Sequence, residues 1–315
     1  MLALHGAGAP IFTDDTMTTR SKGPSAGLGW LTNGITVGFR HPKPLLGGAA
    51  FMVVACLLPS LFTLPMQFHA TRTMTPMNPA TFGWAMAFAM LVGLLIVPLY
   101  AGYLQLVDAA ERGLPARALD IFNPYRQGEA LRLIGYGLAI LVAYLVVIGI
   151  IVAATGGGIA SWYMELLTAQ ATHQPPPALP QGFGIAVALF IVLGLFMMGF
   201  YAISLGQVAL RRRSVFGAIG DGAVGALKNL LPLIVFAGCL FLCWIVMAIA
   251  FALLALVLAL LGALIGPWLV FVLMIPLYIA MMLTVFAVMF GMMYYLWRDV
   301  CGDDTVTGLA QTTAA

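Results

Sequence analysis

Asp, Glu, Lys and Arg are missing from five long stretches of this chain: Lys43 to Arg72, Arg72 to Asp108, Arg132 to Glu165, Glu165 to Arg211, and Lys228 to Arg298. Each stretch exceeds the roughly 20 apolar residues that a helix needs to cross about 30 Å of hydrocarbon. The last is long enough for two crossings and is interrupted by Gly262 through Pro267. The apolar runs are continuous rather than alternating and too long for barrel strands, which predicts helices. The expected fold is therefore an all-α polytopic transmembrane bundle with six spans, at 45–66, 82–107, 131–154, 183–209, 230–260 and 269–297. Composition agrees: 62% hydrophobic residues, 8% charged and a mean hydropathy of +1.03 exclude an ordinary soluble domain.

Basic residues orient the spans. With six spans, every Lys and Arg except Arg72 falls on one side, which predicts cytoplasmic termini in a bacterial inner membrane. A seventh span, from dividing 229–297 into three, would move Arg298 to the other side. Residues 1–24 and 301–315 are polar and read as unstructured tails, and Met17 offers an alternative start to Met1. The first stretch lacks the apolar segment of a signal peptide. Cys56, Cys239 and Cys243 fall in spans and Cys301 on the terminal tail, so none is set for a disulfide outside.

An internal repeat organises the chain. Val97-Pro98-Leu99-Tyr100-Ala101 recurs as Ile275-Pro276-Leu277-Tyr278-Ile279 and more weakly as Phe200-Tyr201-Ala202, with Gln105 and Gln207 at matching places. Gly128 to Ile134 resembles Gly225 to Leu231, with Lys43-Pro44-Leu45-Leu46 as a degenerate counterpart. An amphipathic stretch precedes each odd span: Leu28, Leu31, Ile35 and Phe39; Leu114, Ala118, Ile121/Phe122 and Tyr125; Phe216, Ile219, Ala223 and Leu227. Flanked by basic residues, these suit helices lying in the membrane interface. The predicted unit is interfacial helix, span, outer loop, span, running parallel at about 25–107, 114–209 and 214–297. The longest outer loop, 155–182, holds an amphipathic Trp162–Leu167 piece and Pro175-Pro176-Pro177.

Gly27-Leu28-Gly29-Trp30, Gly34 and Phe39-Arg40-His41-Pro42 running into a span resemble the opening of an uncharacterised family of proteobacterial inner-membrane proteins. The resemblance covers the chain after residue 24. It implies six spans and no particular activity.

Chemistry-bearing motifs are sparse. Gly220-Asp221-Gly222-Ala223-Val224-Gly225 spells G-x-G-x-x-G but lacks the strand and sheet of a dinucleotide site, so it reads as small residues for close packing. Cys239 and Cys243, with Cys56 and the methionines of span six, could offer soft copper ligands, yet they also fill apolar helices ordinarily. His5, His41, His69 and His173 are scattered without metal-ligand spacing, and Asp108/Glu111 and Asp303/Asp304 read as solvated charge. No cofactor or metal is expected. The spans hold no ionisable residue of the kind that ion-coupled transporters use, only groups such as Gln105, Gln207 and Thr284 that bond between helices.

The expectation is a non-enzymatic integral membrane protein, structural, lipid-organising or partner-binding. A permease or channel for a neutral or lipidic solute is the alternative, and a membrane-embedded lipid transferase a more distant one. Nothing points to nucleic acid. The candidate contacts for anionic lipid or a membrane-protein partner are Arg40, Lys43, Arg126, Arg132, Arg211, Arg212, Arg213 and Lys228, either as a basic collar at headgroup depth or as topology signals alone.

Overall fold

The structure is a computed structural model that describes residues 19–73, 79–266 and 268–302. Ten α-helices and one 3-10 turn make up the described residues, with no strand among them. Six helices are long and apolar enough to span a membrane: α2 (Pro42–Thr73), α3 (Pro79–Glu111), α5 (Ala130–Ala154), α7 (Phe183–Leu210), α9 (Leu230–Ile265) and α10 (Trp268–Cys301). Shorter pieces precede the odd spans: α1 (Ala26–Arg40), the 3-10 turn Ala118–Phe122 with α4 (Asn123–Arg126), and α8 (Val215–Lys228). A last short helix, α6 (Gly158–Ala171), joins α5 to α7.

The packing is cyclic. Taking α1–α3, α4–α7 and α8–α10 as three successive units, the second spans α3, α7 and α10 all touch one another at the centre. Each first span packs on its own second span and on that of the preceding unit: α5 on α7 and α3, α9 on α10 and α7, α2 on α3 and α10. The short elements follow the same rule. The 3-10 turn docks on α2 and α3, α8 on α7, and α1 closes the circle on α9 and α10. None of them continues its span as a straight helix, because the chain breaks at His41, at Gln127–Glu129 and at Asn229.

Glycine makes these dockings possible. A Cβ on Gly102 would overlap the carbonyl oxygen of Ile121. One on Gly27 would overlap the Pro232 carbonyl, and one on Gly34 would meet the Met292 backbone at 2.6 Å. On α8, a Cβ on Gly222 would sit 2.8 Å from the Phe200 carbonyl oxygen. Small residues let backbones approach where apolar burial cannot drive association in lipid. This accounts for Gly222 and Gly225 of the G-x-G-x-x-G sequence as packing, and for Gly27 and Gly34 in the opening motif; Gly220 is exposed and meets nothing within 4 Å.

The same physics divides the predicted amphipathic faces. On α1 the buried residues are Gly27, Trp30, Leu31, Gly34 and Val37, while Leu28 is exposed and Phe39 is 72% exposed. On α8, Ala218, Gly222, Gly225 and Ala226 are buried and Phe216 is 85% exposed. Each predicted face is split: Leu28 and Phe39 on α1 and Phe216 and Leu227 on α8 point away from the bundle, whereas Leu31 is buried and Ile35, Ile219 and Ala223 pack against the core beside the small residues. Ahead of α5 the expected interfacial helix shrinks to the 3-10 turn and a four-residue helix, since Pro124 stands in the first turn of α4.

Further boundaries differ from the sequence reading. Helix α2 runs on to Thr73 and α9 to Ile265, so both outer loops are shorter than expected. Gly266 makes the reversal before α10 at φ 142°, a conformation that favours glycine. The segment from residue 19 is not a free tail. The Arg20 amide donates to the Val300 carbonyl at 3.0 Å, the Lys22 amide to Asn229 Oδ1 at 2.8 Å, and Asn229 Nδ2 to the Arg20 carbonyl at 2.9 Å. Cys301 is the last residue of α10 and buried, because this segment packs over it. Residues 1–18 and 303–315, with His5, Met17, Asp303 and Asp304, lie outside the described residues.

The Pro-Leu-Tyr echo in α10 is not equivalent to its model in α3. Tyr100 stacks on Phe290, with ring centroids 5.8 Å apart. Tyr278, twelve residues earlier on α10, therefore lies about 18 Å away along the axis at 1.5 Å per residue. The seams align Gly102 with Gly291, which packs against Gly34, rather than with Ala280.

Candidate functional site

All described Lys and Arg residues other than Arg72 gather at one end of the bundle, where both ends of the described chain meet. This basic end is also where the core lies. On α7, every residue from Ala202 to Ala209 is buried. Gln105 Nε2 on α3 donates to the Ala209 carbonyl at 3.0 Å, Tyr136 on α5 shares a hydrogen bond of 2.7 Å with Ser204, and Tyr103 donates to the Leu45 carbonyl at 2.8 Å. These bonds between helices are the role expected of intramembrane polar groups, though Thr284 instead bonds within its own helix, to the Ala280 carbonyl.

The eight candidate cations divide into two groups. Five are engaged within the protein. Arg132 donates to the carbonyls of Arg212 and Val208, tying α5 to the end of α7. Arg212 pairs with Glu129 at 2.9 Å, and Arg213 with Asp221 at 2.7 Å. Arg211 lies over the Trp297 ring at 6.0 Å, and Lys228 Nζ donates to the Thr19 carbonyl at 3.1 Å. The triple arginine is thus largely cross-bracing. Arg40, Lys43 and Arg126 are exposed, without an ion pair to any described residue.

The pairing of the carboxylates is what sequence reasoning missed. Asp108 and Glu111 are not solvated: their side chains are only 17% and 8% exposed. Asp108 accepts from Arg112 at 2.8 Å and from the Tyr294 hydroxyl at 3.1 Å. Glu111 accepts a short hydrogen bond from Tyr295 and lies 3.7 Å from His41. Hydrogen bonding to Asp108 raises the Arg112 pKa further above its ordinary value, so that guanidinium stays charged. Asp299 closes the remaining seam, pairing with Lys22 at 2.6 Å and accepting from Trp30 Nε1 at 3.0 Å. Only the Asp108–Arg112 spacing was visible in the sequence; the other partners come from distant parts of the chain.

Among the described residues no group of three or more His, Cys, Asp or Glu is placed to hold a metal ion. Cys56 approaches the Tyr100 hydroxyl at 3.6 Å, Cys239 is half-buried and Cys243 is exposed.

The opposite end is built differently. All ten residues from Phe241 to Ala250 on α9 are exposed, so no face of those helical turns is buried in the bundle. The outer parts of α3, α5, α7 and α10 also expose most of their apolar residues. Helix α6 caps this end between α5 and α7, where Trp162 packs edge-on against Phe183 at 5.8 Å. The molecule is closed at its basic end and splayed at the other.

No protein-family model, curated protein or solved structure matches the chain.

Proposed function

We propose that the protein is a non-enzymatic, lipid-organising component of a bacterial inner membrane, with its basic end in the cytoplasm. The observation that carries this reading is the exposed stretch Phe241–Ala250 on α9. A helical stretch exposed on every face must, within a bilayer, be bordered by lipid chains on every side. The cyclic docking of three short elements on three pairs of spans supports the parallel three-unit repeat, with the glycine seams as its marks. Engagement of Asp108, Glu111, Glu129, Asp221 and Asp299 in pairs supports a structural rather than catalytic role for the acids. Anionic lipid then falls to Arg40, Lys43 and Arg126, beside the exposed Phe39 and Tyr125.

Native mass spectrometry of protein extracted in mild detergent tests the reading. Phospholipid retained in stoichiometric amount, with a drop in melting temperature on delipidation, is expected. Lipid-free protein of unchanged stability would overturn it.

The one-sided opening also favours a second reading, a permease for a neutral or lipidic solute. Protein-dependent flux of such a solute in proteoliposomes would promote it over the first.

A further inference from the structure

Residues Thr19–Lys22 form no helix or strand, yet their main chain is held at successive polar groups. Lys228 Nζ donates to the Thr19 carbonyl at 3.1 Å, and the Arg20 amide donates to the Val300 carbonyl at 3.0 Å, in the last turn of α10. The other two bonds come from one side chain. Asn229 Nδ2 donates to the Arg20 carbonyl at 2.9 Å, while its Oδ1 accepts from the Lys22 amide at 2.8 Å. A primary amide carries donor and acceptor side by side, so Asn229 grips the backbone of this strap and not its side chains.

Asn229 makes these bonds in place of another. It is the N-cap of α9, where an asparagine side chain ordinarily accepts from the second or third amide of its own helix. Here it makes no such bond. Pro232, in the third position, has no amide proton, so Leu231 N–H is the donor that a turned Asn229 would reach. The side chain therefore has two arrangements, one on the strap and one on its helix. The strap also has a hinge: Gly23, Pro24 and Ser25 are exposed and lead into α1 through a turn.

We propose that residues 19–22 are a latch across the seam between the third and first units, which opens without unfolding the bundle as Asn229 turns from the strap to the start of α9. Closed, the latch buries Asn229 to 1% exposure and Cys301 to 6%. Open, it frees the Val300 carbonyl and Asp299, uncovers Cys301, and leaves α1 docked through Gly27 and Gly34. The bonds broken lie at the polar end of the bundle, where water replaces them, and one is recovered as the helix cap. Such an opening is local.

Cys301 reports the latch. Full-length protein with Cys56, Cys239 and Cys243 changed to Ala is treated in detergent with a water-soluble maleimide, well below its melting temperature. With the latch otherwise intact, labelling should be slow and nearly independent of low urea, as for an opening that exposes little surface. Lys22→Pro and Lys22→Ala both lose the pair with Asp299, but only the proline removes the amide that Asn229 accepts. The proline variant should label about fivefold faster, the loss of one hydrogen bond. Asn229→Ser can cap α9 but is too short to bridge Arg20 and Lys22, so it should label faster than Asn229→Ala, which can do neither. The strap variants leave the spans untouched and decide the matter alone if a change at Asn229 prevents folding. Equal rates for the two Lys22 variants, immediate labelling with the latch intact, or labelling that rises only with global unfolding would overturn the latch. Asn229→Ala labelling at least as fast as Asn229→Ser would overturn the exchange between strap and cap.

Discussion

Two charge-free helical segments have opposite surroundings. Ala202–Ala209 of α7 is buried on every face, whereas Phe241–Ala250 of α9 is exposed on every face. Charge does not separate them, since both lie in charge-free runs. Small and polar residues do. The α7 segment contains Ala202, Ser204, Gly206, Gln207 and Ala209, which admit neighbouring backbones and bond to them. The α9 segment is dominated by Phe241, Leu242, Trp244, Ile245, Val246 and Met247, which suit lipid. In a membrane, where burying apolar surface gains nothing over leaving it in lipid, protein packing follows the residues that permit contact.

The largest expected effect tests this contrast at glycine. Gly102→Leu would drive a side chain into the Ile121 backbone and should destabilise the protein by about 3 kcal/mol. Gly238→Leu on α9, where a Cβ would meet nothing within 4 Å, should change stability by less than about 0.5 kcal/mol. Melting curves in one detergent compare the two. Equal losses would mean that the open half is packed after all.

The cations sharpen the comparison within the basic end. Changing Arg40, Lys43 and Arg126 to Gln should remove up to about 3 kcal/mol of the thermal stabilisation by cardiolipin, at about 1 kcal/mol for each charge near an anionic surface. Changing Arg211, Arg212 and Arg213 should lower stability with or without cardiolipin, because these side chains brace Trp297, Glu129 and Asp221. If the second triple variant alone lost its response to cardiolipin, the division between engaged and free cations would be wrong.

The smallest effect concerns the seam between the third and first units, which no covalent loop connects. Asp299→Asn weakens the pairing with Lys22 and the bond from Trp30, both partly exposed, and should cost about 1 kcal/mol. Hydrogen exchange should then rise in α1 before it rises in α8, which the loop 211–214 tethers. Uniform exchange across the basic end would remove this seam as the weak point.

Much of the fold was legible because charge placement is a one-dimensional signal. Lys43, Arg72, Asp108, Arg132, Arg211 and Lys228 delimit spans without any knowledge of contacts. The short elements before the odd spans were legible too, but not their orientation. Periodicity of large residues mixed inward and outward positions on α1 and α8, since the packing faces centre on Gly27, Gly34, Gly222 and Gly225 and take only Leu31, Ile35, Ile219 and Ala223 from the predicted sets. The Tyr278 echo of Tyr100 misled because similar residues recur in apolar sequence without sharing a depth. The carboxylate pairs were hidden for a different reason: Glu111 with Tyr295 and Asp299 with Lys22 join positions that only the closed ring brings together.

A nitroxide scan of α9 in lipid nanodiscs, read as oxygen accessibility from residue 230 to 250, addresses the central claim most directly. Over 230–240, where Pro232, Leu233 and Phe236 are buried, accessibility should oscillate with the 3.6-residue period of a helix that has one packed face. From Phe241 to Ala250 it should become uniformly high, as for a helix with lipid on every side. An oscillation that continues unbroken to residue 250 would show a protein face against this segment and would contradict the open, lipid-filled half.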